Sequence, residues 1–267
     1  MIYDANTYWG RQGLERAIFD ALAATGKDIG GLTIDDLAPA DQFHSGGKNS
    51  TVRLARLAGL RPGMRVLDVG GGLGGPARTL AAEFGCQVTV VDPTESYVRT
   101  GEALTALVQL TERVTHRVGD ALALDTGGGV FDVVWTQNSG MNIADKERLY
   151  AGFARVLRPG GLLALQEPMA GPVQPPIFPV MWAPDATTNF LRAPDAMRAV
   201  IEATGFRVSA WDDVTAELAG PSTGAAVPAH AIQRIVMGDA VDEITRAGKR
   251  NRDERRIVMT QAVLVRA

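Results

Sequence analysis

Three carboxylates and one run of glycines are the residues whose types and spacing could do chemistry. Asp68 stands two positions before Gly70-Gly71-Gly72, with Gly74, Gly75 and Pro76 following; Asp92 lies about 20 residues beyond Gly72, and Asp120 closes a third apolar run. Glycines clustered in this way let the chain take positive φ and bring bare backbone up to a ligand. Gly70, Gly72 and Gly75 fit G-x-G-x-x-G, the phosphate-binding pattern of dinucleotide sites, which is weak evidence alone. Asp68 separates the alternatives. A carboxylate so close to the glycines repels a pyrophosphate and attracts a ligand carrying ammonium or sulfonium groups. Asp92 can accept hydrogen bonds from both ribose hydroxyls. Asp120 can accept one from an adenine amino group, with the Ala121 N–H meeting a ring nitrogen.

These residues sit where short apolar runs end. Arg65 to Val69 reads as a strand, and from Pro76 the residues Ala77, Leu80, Ala81 and Phe84 recur at helical spacing. Gln87 to Val91 and Arg113 to Val118 are the next strands, with a helix from Thr94 between them carrying Leu104, Leu107 and Val108. Gly127-Gly128-Gly129 is a surface turn before the fourth strand, Phe131 to Trp135. Leu149, Phe153, Val156 and Leu157 share a helix face, and Arg158-Pro159-Gly160-Gly161 turns into a fifth strand, Leu162 to Gln166, ended by Glu167. A helix between Pro194 and Gly205, a sixth strand Phe206 to Ala210 and a last strand Ile257 to Val265 follow. Such alternation predicts a parallel sheet with right-handed crossovers. Ligands then lie beyond the carboxyl ends of the strands, so Gly70, Asp92, Asp120 and the residues after Trp135 share one rim.

The remaining segments read as covers. Leu14, Ala17, Ile18, Ala21 and Leu22 make one face of a first helix stopped near Gly26. Tyr3, Tyr8 and Trp9 precede it, and either pack this extension onto the core or shield a cofactor mouth and hold a cationic substrate. His44, in Phe43-His44-Ser45-Gly46-Gly47, is a candidate acid or base, the alternative being a hydrogen-bonded lid residue; His116 and His230 read as structural. Ser50 is the expected N-cap of a helix carrying Val52, Leu54, Ala55 and Leu57. Gln137, Asn138 and Asn142 offer donors and acceptors to a substrate or cofactor, or else close the helix start before Asp145. Six prolines between Pro168 and Pro184, interleaved with Ile177, Phe178, Met181 and Trp182, make a stiff apolar lid or a packed connector, with Phe178 and Trp182 the candidate substrate contacts. Lys249 to Arg256 is expected as a solvated loop. Residues 215–248 have only weak helical character.

Composition agrees with a single globular enzyme domain. The chain has 267 residues, 46% hydrophobic and 21% charged, enough to bury one sizeable core. A net charge of −3 leaves no electrostatic footprint for nucleic acid or an anionic membrane. A lone cysteine, Cys86, excludes an intrachain disulfide. No apolar run approaches membrane-spanning length, no signal peptide is evident and no residues show metal-ligand spacing, so the expected setting is cytoplasmic, without membrane or metal. Oligomeric state is left open.

The segments VLDVGGGLGGPARTLA, VTVVD, GDALAL, FDVVWTQNSGMNIADKERL and VLRPGGLLALQEP resemble, in order and spacing, the motifs of class I S-adenosylmethionine-dependent methyltransferases. The resemblance, over residues 42–210, is to the small-molecule branch that includes sarcosine/dimethylglycine N-methyltransferases and tocopherol and sterol methyltransferases. It implies an α/β, Rossmann-like sheet of seven strands, mostly parallel, with helices on both faces, the last strand antiparallel beside the fifth, and an N-terminal helical cap. One domain is expected: a cap over 1–60, a cofactor-binding core over 61–170, a proline-rich lid over 171–193 and the rest of the sheet over 194–267. S-adenosylmethionine is the implied cofactor, held by Asp68, Gly70, Gly71, Gly72, Asp92, Pro93, Asp120, Ala121 and Gln137. The implied reaction is metal-independent methyl transfer to N, O or C of a small molecule. Relatives have histidine near Asn138 or Asn142, so no histidine base carries over there, and catalysis by proximity gains weight. An amine acceptor is the family analogy; the apolar lid favours a more apolar one. A protein that binds S-adenosylmethionine without methylating anything, and a nicotinamide oxidoreductase, remain alternatives; the second leaves Asp68 unexplained. Asp92→Ala is expected to weaken S-adenosylmethionine binding with little loss of fold, measured by calorimetry, and unchanged affinity would count against the ribose contact.

Overall fold

The computed structural model describes residues 8–125, 127–218 and 231–267. Tyr3 and His230 lie outside these described residues. Seven strands form one sheet: β1 (Arg65–Val69), β2 (Gln87–Asp92), β3 (Val114–Val118), β4 (Phe131–Gln137), β5 (Leu157–Ala170), β6 (Phe206–Asp213) and β7 (Ile257–Arg266), in the order β3-β2-β1-β4-β5-β7-β6. β1 to β5 pair in parallel, and β7 runs antiparallel between β5 and β6. The seven-stranded, mostly parallel sheet with an antiparallel last strand is the one the motifs imply. The order in which strands are added reverses at β1, since β2 and β4 flank it on opposite sides, and a crevice opens at such a switch point.

Alternation along each strand fills two cores. Leu67 and Val69 of β1 pack with Val134, Leu163 and Leu165 against α6 (Lys146–Val156) and α7 (Pro194–Ala203), through Leu149, Phe153, Met197 and Ile201. Val66 faces the other way, with Val88, Val90 and Trp135, onto α3 (Gly47–Leu57) and α4 (Gly75–Phe84). Both faces are therefore dry, as a parallel sheet requires. A third cluster joins α1 (Leu14–Ala23) and α2 (Ile34–Asp41) to α5 (Glu95–Leu107) and α8 (Ile232–Met237) through Ile18, Leu37, Leu104 and Ile232. The N-terminal helices thus form a cap with its own apolar contact. No helix among the described residues is long and apolar enough to cross a membrane.

Several elements differ from expectation. β4 extends two residues further, to Gln137, and β5 runs through Arg158-Pro159-Gly160-Gly161 as a bulge and past Glu167, because β7 supplies partners for its outer edge. Ser50 is not an N-cap: α3 starts at Gly47 behind Gly46 at φ 81, and the Ser50 hydroxyl donates to the Gly47 carbonyl inside the helix. The expected solvated loop at Lys249 is the end of α9 (Val241–Asp253), supported by Lys249–Asp253 and Arg250–Glu254 pairs one turn apart. Asn251 of that run is buried, and its amide both donates to and accepts from the backbone of Ile177, fastening the proline-rich segment. His116 is structural as expected, its ring wedged between Gly74 and Gly101 with Nε2 2.9 Å from Thr105 Oγ1.

The cap is tied to the core by one buried ion pair. Arg78 of α4 is 1% exposed; its Nη2 donates to Asp41 Oδ2 at 2.8 Å and to the Leu73 carbonyl at 2.7 Å, and Nη1 to Thr105 Oγ1 at 2.9 Å. Removing one partner leaves the other charge buried alone. Asp41→Ala is therefore expected to destabilise the chain by about 3–5 kcal/mol in a urea titration.

Candidate active site

A cleft of about 860 Å³ opens beyond the carboxyl ends of β1, β2 and β4. Its wall includes Asp68, Gly70, Gly71, Gly72, Asp92, Pro93, Asp120, Ala121, Gln137, Asn138, Asn142 and His44, so residues scattered over 100 positions of sequence are brought together. Phe178 and Trp182 are not on that wall. They belong to a separate apolar cluster with Met141, Val180 and Ala183, where the Trp182 indole donates to Asn189 Oδ1 at 2.9 Å. Their assignment as substrate contacts is corrected: the prolines fold the segment onto itself, and from it only Phe190 lines the cleft.

The glycine turn has no room for a side chain at Gly70 or Gly71. Gly70 has φ 71, and a Cβ there would lie 2.4 Å from the Ser139 Cβ; one on Gly71 would lie 2.6 Å from Asp68 Oδ2. Asp92 clamps the turn from β2, accepting the Gly72 N–H at 3.0 Å and the Thr94 N–H at 2.9 Å. Loss of this carboxylate would strand two amides as well as any ribose contact, so the small effect on fold expected for Asp92→Ala is corrected to a loss of about 1–3 kcal/mol. Asp68 is 1% exposed, and its Oδ2 has no partner. Burial, and then the charge of Asp92, push its pKa up to about 8. An orphan buried carboxylate oxygen at the foot of a bare-backbone turn fits a ligand that brings positive charge. Asp120 accepts the Leu122 N–H at 2.8 Å and so shapes the turn that presents Ala121.

The opposite wall is the turn after β4. Gln137 still belongs to the strand, and its Oε1 accepts from the Trp135 indole at 2.9 Å and from Thr51 at 3.1 Å. Asn138 follows in the left-handed region at φ 53, held by its N–H to the Gln166 carbonyl at 2.8 Å. Asp145 does cap α6, accepting the Arg148 N–H, so this stretch both closes a helix start and lines the cleft.

Two residues to which the sequence assigns no role in the site hold that turn. Glu167, 1% exposed, accepts the Gly140 N–H at 2.8 Å and the Ser139 N–H at 3.2 Å; Lys146, wholly buried, donates to the Gly140 carbonyl and to the Ile143 carbonyl at 2.6 Å. One turn is thus gripped from below by a carboxylate on its amides and an ammonium on its carbonyls. Desolvation brings Lys146 down to about 8. A lysine beside a helix cap and an acid after an apolar run look like surface residues, and only the chain reversal at Gly140 buries them.

His44 reaches the cleft from the cap. Its Nε2 lies 2.9 Å from Gln42 Oε1 and 3.1 Å from Thr51 Oγ1, its Nδ1 3.2 Å from Ser50 Oγ, and burial brings its pKa down to about 4. The imidazole is therefore neutral at physiological pH, with both nitrogens engaged.

A family described as methyltransferase domain matches residues 66–161. The sarcosine/dimethylglycine N-methyltransferase of Halorhodospira halochloris is 31% identical over 212 residues, 75% of this chain and 71% of that protein. The glycine/sarcosine/dimethylglycine N-methyltransferase of Actinopolyspora halophila is 31% identical over 132 residues, 49% of this chain but 23% of that longer protein, so the match spans about a quarter of its length. Among solved structures, the 4+2 cyclase SpnF superposes with a TM-score of 0.67 at 20% identity, over 95% of this chain and 93% of that one, a likeness of fold.

Asp68 gives the cleft a measurable signature. Below about pH 8 its carboxyl is protonated in the free protein, and a cationic ligand must expel that proton to bind. Affinity for S-adenosylmethionine, followed by calorimetry, is expected to rise by up to about tenfold per pH unit from pH 6 and level off above 8, while Asp68→Asn flattens the profile. With its motif series, its strand order and a relative matched over most of both lengths, the chain belongs to the class I S-adenosylmethionine-dependent methyltransferase family.

Proposed function

We propose that this chain transfers a methyl group from S-adenosylmethionine to a nucleophilic atom of a small molecule. When bound, the cofactor supplies a methyl on a sulfonium, open to in-line displacement. The observation that carries the reading is that one cleft joins the orphan Asp68 oxygen and glycine turn to the polar rim at Asn138 and Asn142, so donor and acceptor would share one enclosed space. Asp68 receives the positive end of the cofactor, Asp92 its ribose, and Asp120 with Ala121 its adenine. Gln137, Asn138 and Asn142 orient the acceptor. Residues 1–60 act as a cap on this same unit. Alignment in a site that excludes water is worth up to about 7–11 kcal/mol of barrier, enough to dispense with a covalent intermediate.

His44 works here as a fixed neutral wall of the polar network. A base whose pKa is about 4 takes a proton poorly from a phenol or ammonium, and both its nitrogens have partners. His44→Gln is expected to keep kcat/KM within about tenfold of the parent, where loss of a general base costs about 10²–10⁴.

The decisive measurement is incubation with methyl-labelled S-adenosylmethionine and a panel of amines, phenols and quinols. Label appearing in the acceptor together with stoichiometric S-adenosylhomocysteine supports transfer. The likeness to a cyclase makes the second reading concrete: a chain that binds the cofactor but leaves it intact while rearranging another molecule. Cofactor that binds without turnover across the panel would favour that reading.

A further inference from the structure

Resting on the methyl-transfer reading of this cleft, we propose that the acceptor is an uncharged, largely apolar molecule, and not a carboxylate, phosphate or diphosphate. The argument begins with charge. Among the described residues lining the cleft there is no lysine or arginine, while Asp41, Asp68, Asp92, Asp120 and Asp145 all reach it. The stretches outside the described residues, 1–7, 126 and 219–230, contain no lysine or arginine in their sequence either.

Of the cations near the wall in sequence, Lys146, Arg78, Arg192 and Arg234 are committed elsewhere, and Arg11, two residues after Trp9, is exposed and does not line the cleft. Lys146 turns its ammonium into the Gly140 and Ile143 carbonyls beneath the rim. Arg78 is buried against Asp41, and Arg192, two residues after Phe190, holds Glu147 at 2.8 Å. His44 is neutral at physiological pH. An anionic acceptor would lose its hydration and meet no lysine or arginine on this wall, where the turns already use the backbone amides.

Outside the turns that follow β1, β2 and β3, the wall carries a set of apolar side chains. Trp9 and Phe43 of the cap meet edge to face, with ring centroids 5.7 Å apart, and Ile143, Phe190 and Ile232 join them from the rim, the proline-rich segment and α8. These surfaces gain by covering an apolar body, and the side-chain amide of Asn138 on the same wall can meet a single hydroxyl or neutral amine.

A matched set of probes tests the proposal: 4-butylphenol, 4-butylbenzoate and 4-butylphenyl phosphate, which differ only in the head group. Binding of S-adenosylhomocysteine is measured first, by calorimetry at neutral pH, and each probe is then titrated into the saturated complex. The phenol is expected to bind at least about tenfold more tightly than either anion. If the phenol binds no better than the anions, whether all bind or none does, the acceptor class is overturned while the cofactor reading stands. If S-adenosylhomocysteine itself fails to bind, the cofactor reading falls, and the inference with it.

Discussion

The site depends on a buried carboxyl, Asp68, one of whose oxygens the protein leaves without a partner. Asp68 is the last residue but one of β1, on the face that also carries Val66, so the alternation that buries the strand also buries the carboxylate. An unpaired carboxylate in such a place is costly and responds by holding its proton. A ligand that brings positive charge relieves that cost, and the bare glycines beside Asp68 let it come close.

Around that carboxyl, the chain uses backbone amides and carbonyls as clamps. Asp92 fixes the glycine turn from β2, and Glu167 and Lys146 fix the opposing turn after β4 from two sides. Both walls are therefore held by side chains rooted in strands or at helix starts, which are more rigid than loops. The strained backbone of Asn138 is paid for by the Gln166 carbonyl and by this grip on its neighbours. A cleft whose walls keep their spacing can align two reactants before either reacts, which is the form of catalysis that needs the fewest titrating groups.

The cap completes the enclosure and gives the acceptor end its character. It is bound to the core by the Arg78–Asp41 pair and by the cluster around Leu37 and Leu104, and it lends Trp9, Phe43 and His44 to the cleft. A shared fold hosts methyl transfer in some proteins and cyclisation in another, so these added walls, and not the sheet, carry whatever distinguishes one member from the next.

Strand ends, glycine turns and the three acids are legible in the sequence because they obey local rules: apolar runs of strand length, glycine where the backbone must bend sharply, and an acid at each strand terminus. Those rules determined the sheet, its rim and the gathering of the three acids at one cleft. Tertiary structure alone decided the rest. Asn251 in the charge run is buried on the Ile177 backbone, Phe178 and Trp182 pack in a cluster of their own segment with Met141, and Lys146 and Glu167 meet on the two sides of the turn at Gly140. Burial and orientation of a polar side chain depend on partners distant in sequence, and no local pattern encodes them.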